Sequence, residues 1–148
     1  MLYEGTNTGM VGDLHIGKNK EEKWEGVYDD LLDWIITSFR GKTKDITFFG
    51  DVFDGHFSMT REKGISFKTM GYVEKFFETL AKEFHIVVFA GNHCCYYKDR
   101  CDVSALSLLK GKPNITVIEE TTEFTVGDKD YQIVPWSCLL YTSPSPRD

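Results

Sequence analysis

The run Ile46-Thr47-Phe48-Phe49-Gly50-Asp51-Val52-Phe53-Asp54 constrains the fold more than any other part of the chain. An apolar, β-prone stretch ends in a glycine and is followed at once by two carboxylates three positions apart. It reads as a buried strand, Asp45 to Phe49, that delivers Asp51 at its carboxyl end, where open α/β sheets build their sites. A carboxylate held there costs free energy unless a cation compensates it.

Two further apolar runs frame it. Thr8-Gly9-Met10-Val11 reads as a first strand, and His85-Ile86-Val87-Val88-Phe89-Ala90 as a third, central and covered on both faces. Between the first two strands, Trp24, Val27, Tyr28, Leu31, Leu32, Ile35, Ile36 and Phe39 recur every three or four residues. That spacing predicts an amphipathic helix stopped by Gly41. A second helix is capped by Ser66 and carries Phe67, Met70, Val73, Phe76, Phe77 and Leu80 on one face. A short helix from Asp102 or Ser104 to Leu109 ends at Gly111-Lys112-Pro113, and residues 115–118 form a fourth strand. Residues 123–126 and 131–134 flank a hairpin-like turn at Gly127-Asp128-Lys129-Asp130. The alternation predicts an α/β fold: a parallel βαβαβ sheet with right-handed crossovers, then a β-rich segment.

A chain of 148 residues is long enough for one domain with a real core. A formal net charge of -6 excludes a protein that holds nucleic acid by bulk positive charge. It leaves open an enzyme that meets phosphate through bound metal, which reverses the local sign. No apolar run approaches membrane-spanning length, and the first residues do not read as a signal peptide. Of the four cysteines, Cys94, Cys95 and Cys101 fall in one loop and Cys138 lies apart. That is a poor disulfide framework, so reduced thiols and a cytoplasmic setting are expected. The spacing also fits no standard zinc pattern.

Three strand ends carry metal-competent pairs: Asp13-Leu14-His15, Gly50-Asp51-Val52-Phe53-Asp54 and Gly91-Asn92-His93. Each alone is weak, since turns and caps use the same residue types. A parallel sheet, however, puts its strand ends on one edge, so the three should converge. Carboxylate, imidazole and amide oxygen together suit Mn2+, Fe or Zn2+ better than Ca2+. Glycine before each pair is expected to let the backbone turn sharply and approach a ligand closely.

In this order the three motifs resemble the signature of the calcineurin-like metallophosphoesterases. Gly12-Asp13-Leu14-His15-Ile16-Gly17, Gly50-Asp51-Val52-Phe53-Asp54, Tyr97-Lys98 and Ile133-Val134-Pro135-Trp136 further resemble one branch. That branch is the nuclease subunit of the double-strand-break repair complex, including the phage recombination endonuclease. The resemblance implies the first half of a layered metallophosphoesterase sandwich over residues 1–137. It also implies two divalent ions, Mn2+ first, with Fe, Zn2+ or Mg2+ as alternatives. Asp13 and His15 would bind the first ion, Asp51 would bridge both, and Asn92 would bind the second. His93 would act beside the scissile phosphate as general acid or as a stabiliser of the transition state. Asp54 would be the carboxylate that orients a histidine, and Lys18 and Lys98 are candidate substrate contacts. The implied activity is phosphodiester hydrolysis by a DNA exo- or endonuclease. The implied partners are DNA and a coiled-coil, SMC-like ATPase, with self-association to a homodimer and no membrane; a phage-encoded chain would work in the host cytoplasm. The alternatives are a phosphoesterase of another branch, acting on phosphoproteins or nucleotides, and an inactive remnant serving as a binding module.

Two features depart from the family pattern. Cys94 stands where the motif usually continues with Asp, and no histidine follows His93 although the family closes its site with later ones. The chain itself is therefore expected to bind metal weakly and to have little activity. Residues 138–148 turn Ser/Pro-rich without periodicity and resemble the translation of a sequencing-library adapter, so they are read as a non-native tail. His56 reads as a solvated loop residue, His85 as structural, and Tyr96 or Tyr97 as a stacking surface or loop packing.

Overall fold

Three parallel strand pairings, laid side by side in chain order, build the sheet in the computed structural model, which describes residues 2–17, 24–54, 64–95, 97 and 101–135. The strands are β1 (Gly9–Gly12), β2 (Asp45–Phe49), β3 (His85–Phe89) and β4 (Ile115–Ile118), in the order β1-β2-β3-β4. Helix α1 (Trp24–Phe39) lies between β1 and β2, and α2 (Phe67–Ala81) between β2 and β3. A 3-10 turn at Ala105–Leu109 precedes β4. Strands β5 (Thr122–Val126) and β6 (Lys129–Ile133) then form a separate antiparallel hairpin. The α/β architecture expected from the alternation is the one found.

Strand alternation sends successive side chains to opposite faces, and both faces of the sheet are used. Ile46, Phe48, Ile86 and Val88 join the larger core with Ile35 of α1 and Val73, Phe76, Phe77 and Leu80 of α2. Val87 and Ile118 instead join a smaller core with Tyr3, Val126 and Ile133. Burying each large side chain of this kind contributes roughly 1.5–3 kcal/mol. The Ser66 hydroxyl caps α2 by accepting from the Thr69 N–H, as its residue type predicts. Gly41, at φ +75°, ends α1 in the left-handed conformation that helix stops favour.

The structure differs from the sequence expectation in several places. Val27 is 65% exposed, because it lies about 100° around the helix from Tyr28 and the buried stripe of α1 is narrow. Phe67 is 92% exposed, because the buried face of α2 begins at Thr69. The hairpin turn is tighter than expected: only Gly127 and Asp128 separate the strands, with Gly127 at φ +64°, the sign that type II′ turns require there. Cys95 and Cys101 are joined in a disulfide rather than left as thiols. An antiparallel bridge pairs Cys95 with Ser104, and the Cα atoms of Cys95 and Cys101 lie 5.1 Å apart. Cys94 is free and buried. His56, Lys18, Lys98, Tyr96, Trp136, Cys138 and residues 138–148 lie outside the described residues.

Candidate metal centre

Because Gly12 pairs with Phe49 and Phe49 with Phe89, the loops leaving β1, β2 and β3 start from one level of the sheet. The first two are stitched together beyond the strands. The His15 N–H donates to the Asp51 carbonyl at 2.8 Å, the Ile16 N–H to the Val52 carbonyl at 2.9 Å, and the Asp54 N–H to the Ile16 carbonyl at 3.2 Å. Leu14, Ile16, Val52 and Phe53 are buried and anchor these loops. Their polar neighbours Asp13, His15, Asp51 and Asp54 stay partly or fully accessible.

The backbone is strained where the chemistry would be. Asp13, His15 and Asp51 adopt φ of +50°, +46° and +43°. Left-handed conformations cost ordinary residues on the order of 1–2 kcal/mol each, least for Asp and Asn, and they gather at functional sites. Among the described residues, the one other non-glycine with positive φ is Asn114. In the first loop the left-handed turn falls on Asp13 and His15 rather than on Gly12, and in the second on both Gly50 and Asp51. Of the three glycines, only Gly50 has a positive φ, +59°. Gly91 serves close approach: a Cβ there would meet the Asp51 carboxylate and lie 2.5 Å from the Asp51 nitrogen.

Asp51 is the hub. Its Oδ1 accepts the His93 backbone N–H at 3.0 Å, and its Oδ2 lies 3.9 Å from His15 Nε2. The Asn92 amide lies against both carboxylate oxygens, and with its nitrogen turned inward it donates to each at 3.1 Å. With its oxygen inward it would instead add a third oxygen to a cation-binding set. His15 Nδ1 meets Asp54 Oδ1 at 3.1 Å. An ionised carboxylate only accepts, so Nδ1 is the donor in this pair, and Nε2 is the ring atom turned to the Asp51 side. The His15 and His93 rings meet edge to face, with centroids 5.0 Å apart.

Two overlapping sets of ligand atoms result. One atom each from Asp13, His15 and Asp51 lies within 4.8 Å of the others, and so does one each from His15, Asp54 and His93. Six residues singled out from the sequence, Asp13, His15, Asp51, Asp54, Asn92 and His93, thus come together at one sheet edge, as three convergent strand ends require. Lys18 and Lys98 are not among the described residues.

Two further residues border the site. Tyr28 packs against the core as its place in the apolar stripe predicts, and its hydroxyl also donates to the carbonyls of Leu14 and His15 at 2.7 and 2.8 Å. Burial pushes its pKa up and the Asp54 charge adds to this, so the phenol keeps its proton. Cys94 lies beneath the site. Burial pushes its thiol up, against hydrogen bonds with the Gly91, Phe53 and Val52 peptide units. A neutral thiol thus occupies the position where the motif usually has an acid.

Among the described residues, no helix is long and apolar enough to cross a membrane. Comparison with curated proteins gave no match. The family model for calcineurin-like phosphoesterases matches residues 7–137, which contain all three strand-end motifs. The chain therefore belongs to the calcineurin-like phosphoesterase family.

Proposed function

We propose that this chain hydrolyses phosphodiester bonds in DNA with the help of two divalent ions, Mn2+ first among them. Family membership implies metal-dependent phosphoester hydrolysis. The finer reading rests on the sequence resemblance of 12–17, 50–54, 97–98 and 133–136 to the recombination nucleases. The observation that carries the hydrolytic part is the convergence of Asp13, His15, Asp51 and Asn92 on one point of the sheet edge.

The donor set fits a divalent cation. Carboxylate and amide oxygens face one another at Asp51 and Asn92, an arrangement that repels without a positive charge or an inward-turned amide nitrogen. Asp13, His15, Asp51 and Asn92 would hold the ions, which when bound neutralise charge on the phosphate and lower the pKa of water. The protein's own groups do the rest. Asp54 holds the proton on His15 Nδ1 and so presents Nε2 as a ligand. The Asp51 carboxylate fixes the His93 backbone through its N–H. His93 Nδ1 is buried, so the Nε2 edge is the one that would give a proton to the leaving oxygen. Lys18 and Lys98 would contact the DNA backbone. An SMC-like ATPase and a second copy of the chain are the proposed protein partners.

The test is a set of assays with Mn2+ and with chelator. Single-stranded DNA, duplex ends and bis(p-nitrophenyl) phosphate are expected to be cut only with metal. Slow turnover is expected, since no histidine follows His93. Metal-dependent release of phosphate from monoesters or phosphopeptides, with DNA untouched, would move the chain to another branch. No hydrolysis of any substrate would favour the binding-module reading.

A further inference from the structure

We infer that Tyr28 is a positioning residue for the metal site: its hydroxyl, brought in by α1, holds the 13–15 loop in its ligating shape. The inference rests on the proposed reading that Asp13 and His15 are metal ligands. One phenol bridges two successive carbonyls, those of Leu14 at 2.7 Å and His15 at 2.8 Å. These peptide units lie between and beside two residues in the left-handed region, Asp13 and His15. Such a conformation persists only where its surroundings over-determine it. His15 is held on both sides: its N–H by the Asp51 carbonyl and its carbonyl by Tyr28.

The hydroxyl is not required for packing. The Tyr28 ring stands edge-on to Trp24 with centroids 5.8 Å apart, and tilted to Tyr72 at 6.3 Å. A phenylalanine ring would keep both contacts. Tyr72, from α2, points its own hydroxyl at Asp29 Oδ1, 2.6 Å away, and at the Glu25 carbonyl. Both partners belong to α1, so Tyr72 braces the helix that carries Tyr28 and does not reach the loop. The two tyrosines share one aromatic cluster, and only Tyr28 touches the ligand-bearing chain. That makes Tyr72→Phe a matched control.

The experiment compares the wild-type chain, Tyr28→Phe and Tyr72→Phe. The first readout is amide hydrogen exchange of His15 and Ile16 in the metal-free protein, which needs no ligand. The second is Co2+ titration followed by its visible absorption. Tyr28→Phe is expected to speed exchange at both amides about tenfold. It is also expected to weaken Co2+ about tenfold and to shift the absorption band, as loss of a group behind a ligand does. Tyr72→Phe should leave both readouts unchanged. Unchanged exchange in Tyr28→Phe, or equal changes in the two variants, would overturn the inference whatever the metal does. Faster exchange in Tyr28→Phe beside a wild-type chain that binds no Co2+ would keep the loop-holding role and defeat the metal reading instead.

Discussion

Asp51→Asn is expected to weaken divalent-metal binding on the order of 100-fold or more, at the upper end of or beyond what loss of a supporting group costs, with the fold intact. The change removes one charge and little else. Asparagine tolerates the left-handed region as aspartate does, so φ of +43° remains accessible. The amide oxygen can still accept the His93 N–H, now at 3.0 Å from Oδ1. What is lost is the negative charge that Asp51 brings to the ligand set it forms with Asp13 and His15. Calorimetric Mn2+ titration measures the affinity, and a thermal melt checks the fold. An Asp51→Asn chain that binds Mn2+ as the wild type does would remove Asp51 from the centre of the site.

Asp45→Ala is expected to destabilise the chain by about 3 kcal/mol, since a buried donor left without its acceptor costs roughly 1–3 kcal/mol and three donors share this one. Asp45 starts β2, at the end of the sheet away from the metal site, and is fully buried. Its carboxylate accepts the Glu4 N–H at 2.9 Å, the Gly5 N–H at 2.6 Å and His85 Nδ1 at 3.0 Å. His85 passes the chain of bonds on through Nε2 to the Thr116 hydroxyl on β4. One carboxylate thus ties the amino-terminal arm to three adjacent strands. The arm also brings Tyr3, whose hydroxyl bonds Thr47 at 2.9 Å and whose ring meets Phe124 of the hairpin at 4.8 Å. Alanine would leave two part-buried backbone donors and an imidazole without their acceptor. Urea unfolding gives the loss; a change below about 1 kcal/mol, the net worth of one ordinary hydrogen bond, would mean that water or rearrangement replaces the carboxylate.

The features most visible in the sequence were those fixed by local periodicity. Trp24–Phe39, Asp45–Phe49 and 115–118 have the expected bounds, because apolar spacing and flanking glycines mark them within a few residues. Convergence of the three motifs was also legible, since a parallel sheet leaves consecutive strand ends no other edge. What the sequence hid depends on contacts between distant segments. Tyr28 sits in the same apolar pattern as Ile35, and nothing local says that its hydroxyl reaches the Leu14 carbonyl. Asp45 looks like an ordinary strand-start polar residue until the arm crosses it. Val27 and Phe67 were misplaced because apolar character was taken for burial, whereas each lies beyond the packed stripe of its helix. The pairing of Cys95 with Cys101 lies beside the bridge from Cys95 to Ser104, a contact without a periodic signature. The strain fell on Asp13, His15 and Asp51 rather than on Gly12 and Gly91, because the loops turn after the strand ends, not at them.

The most direct test of the account is the response of the histidine ring signals to substoichiometric Mn2+. His15 and His93 face the proposed site, whereas His85 opens β3 at the far end, five residues before Ala90 at about 3.3 Å per residue. Paramagnetic broadening should erase the His15 and His93 resonances first and spare His85 until much more metal is added, and Asp51→Asn should abolish that order. Equal broadening of all three, or loss of His85 before His15 and His93, would contradict a metal centre built around Asp51.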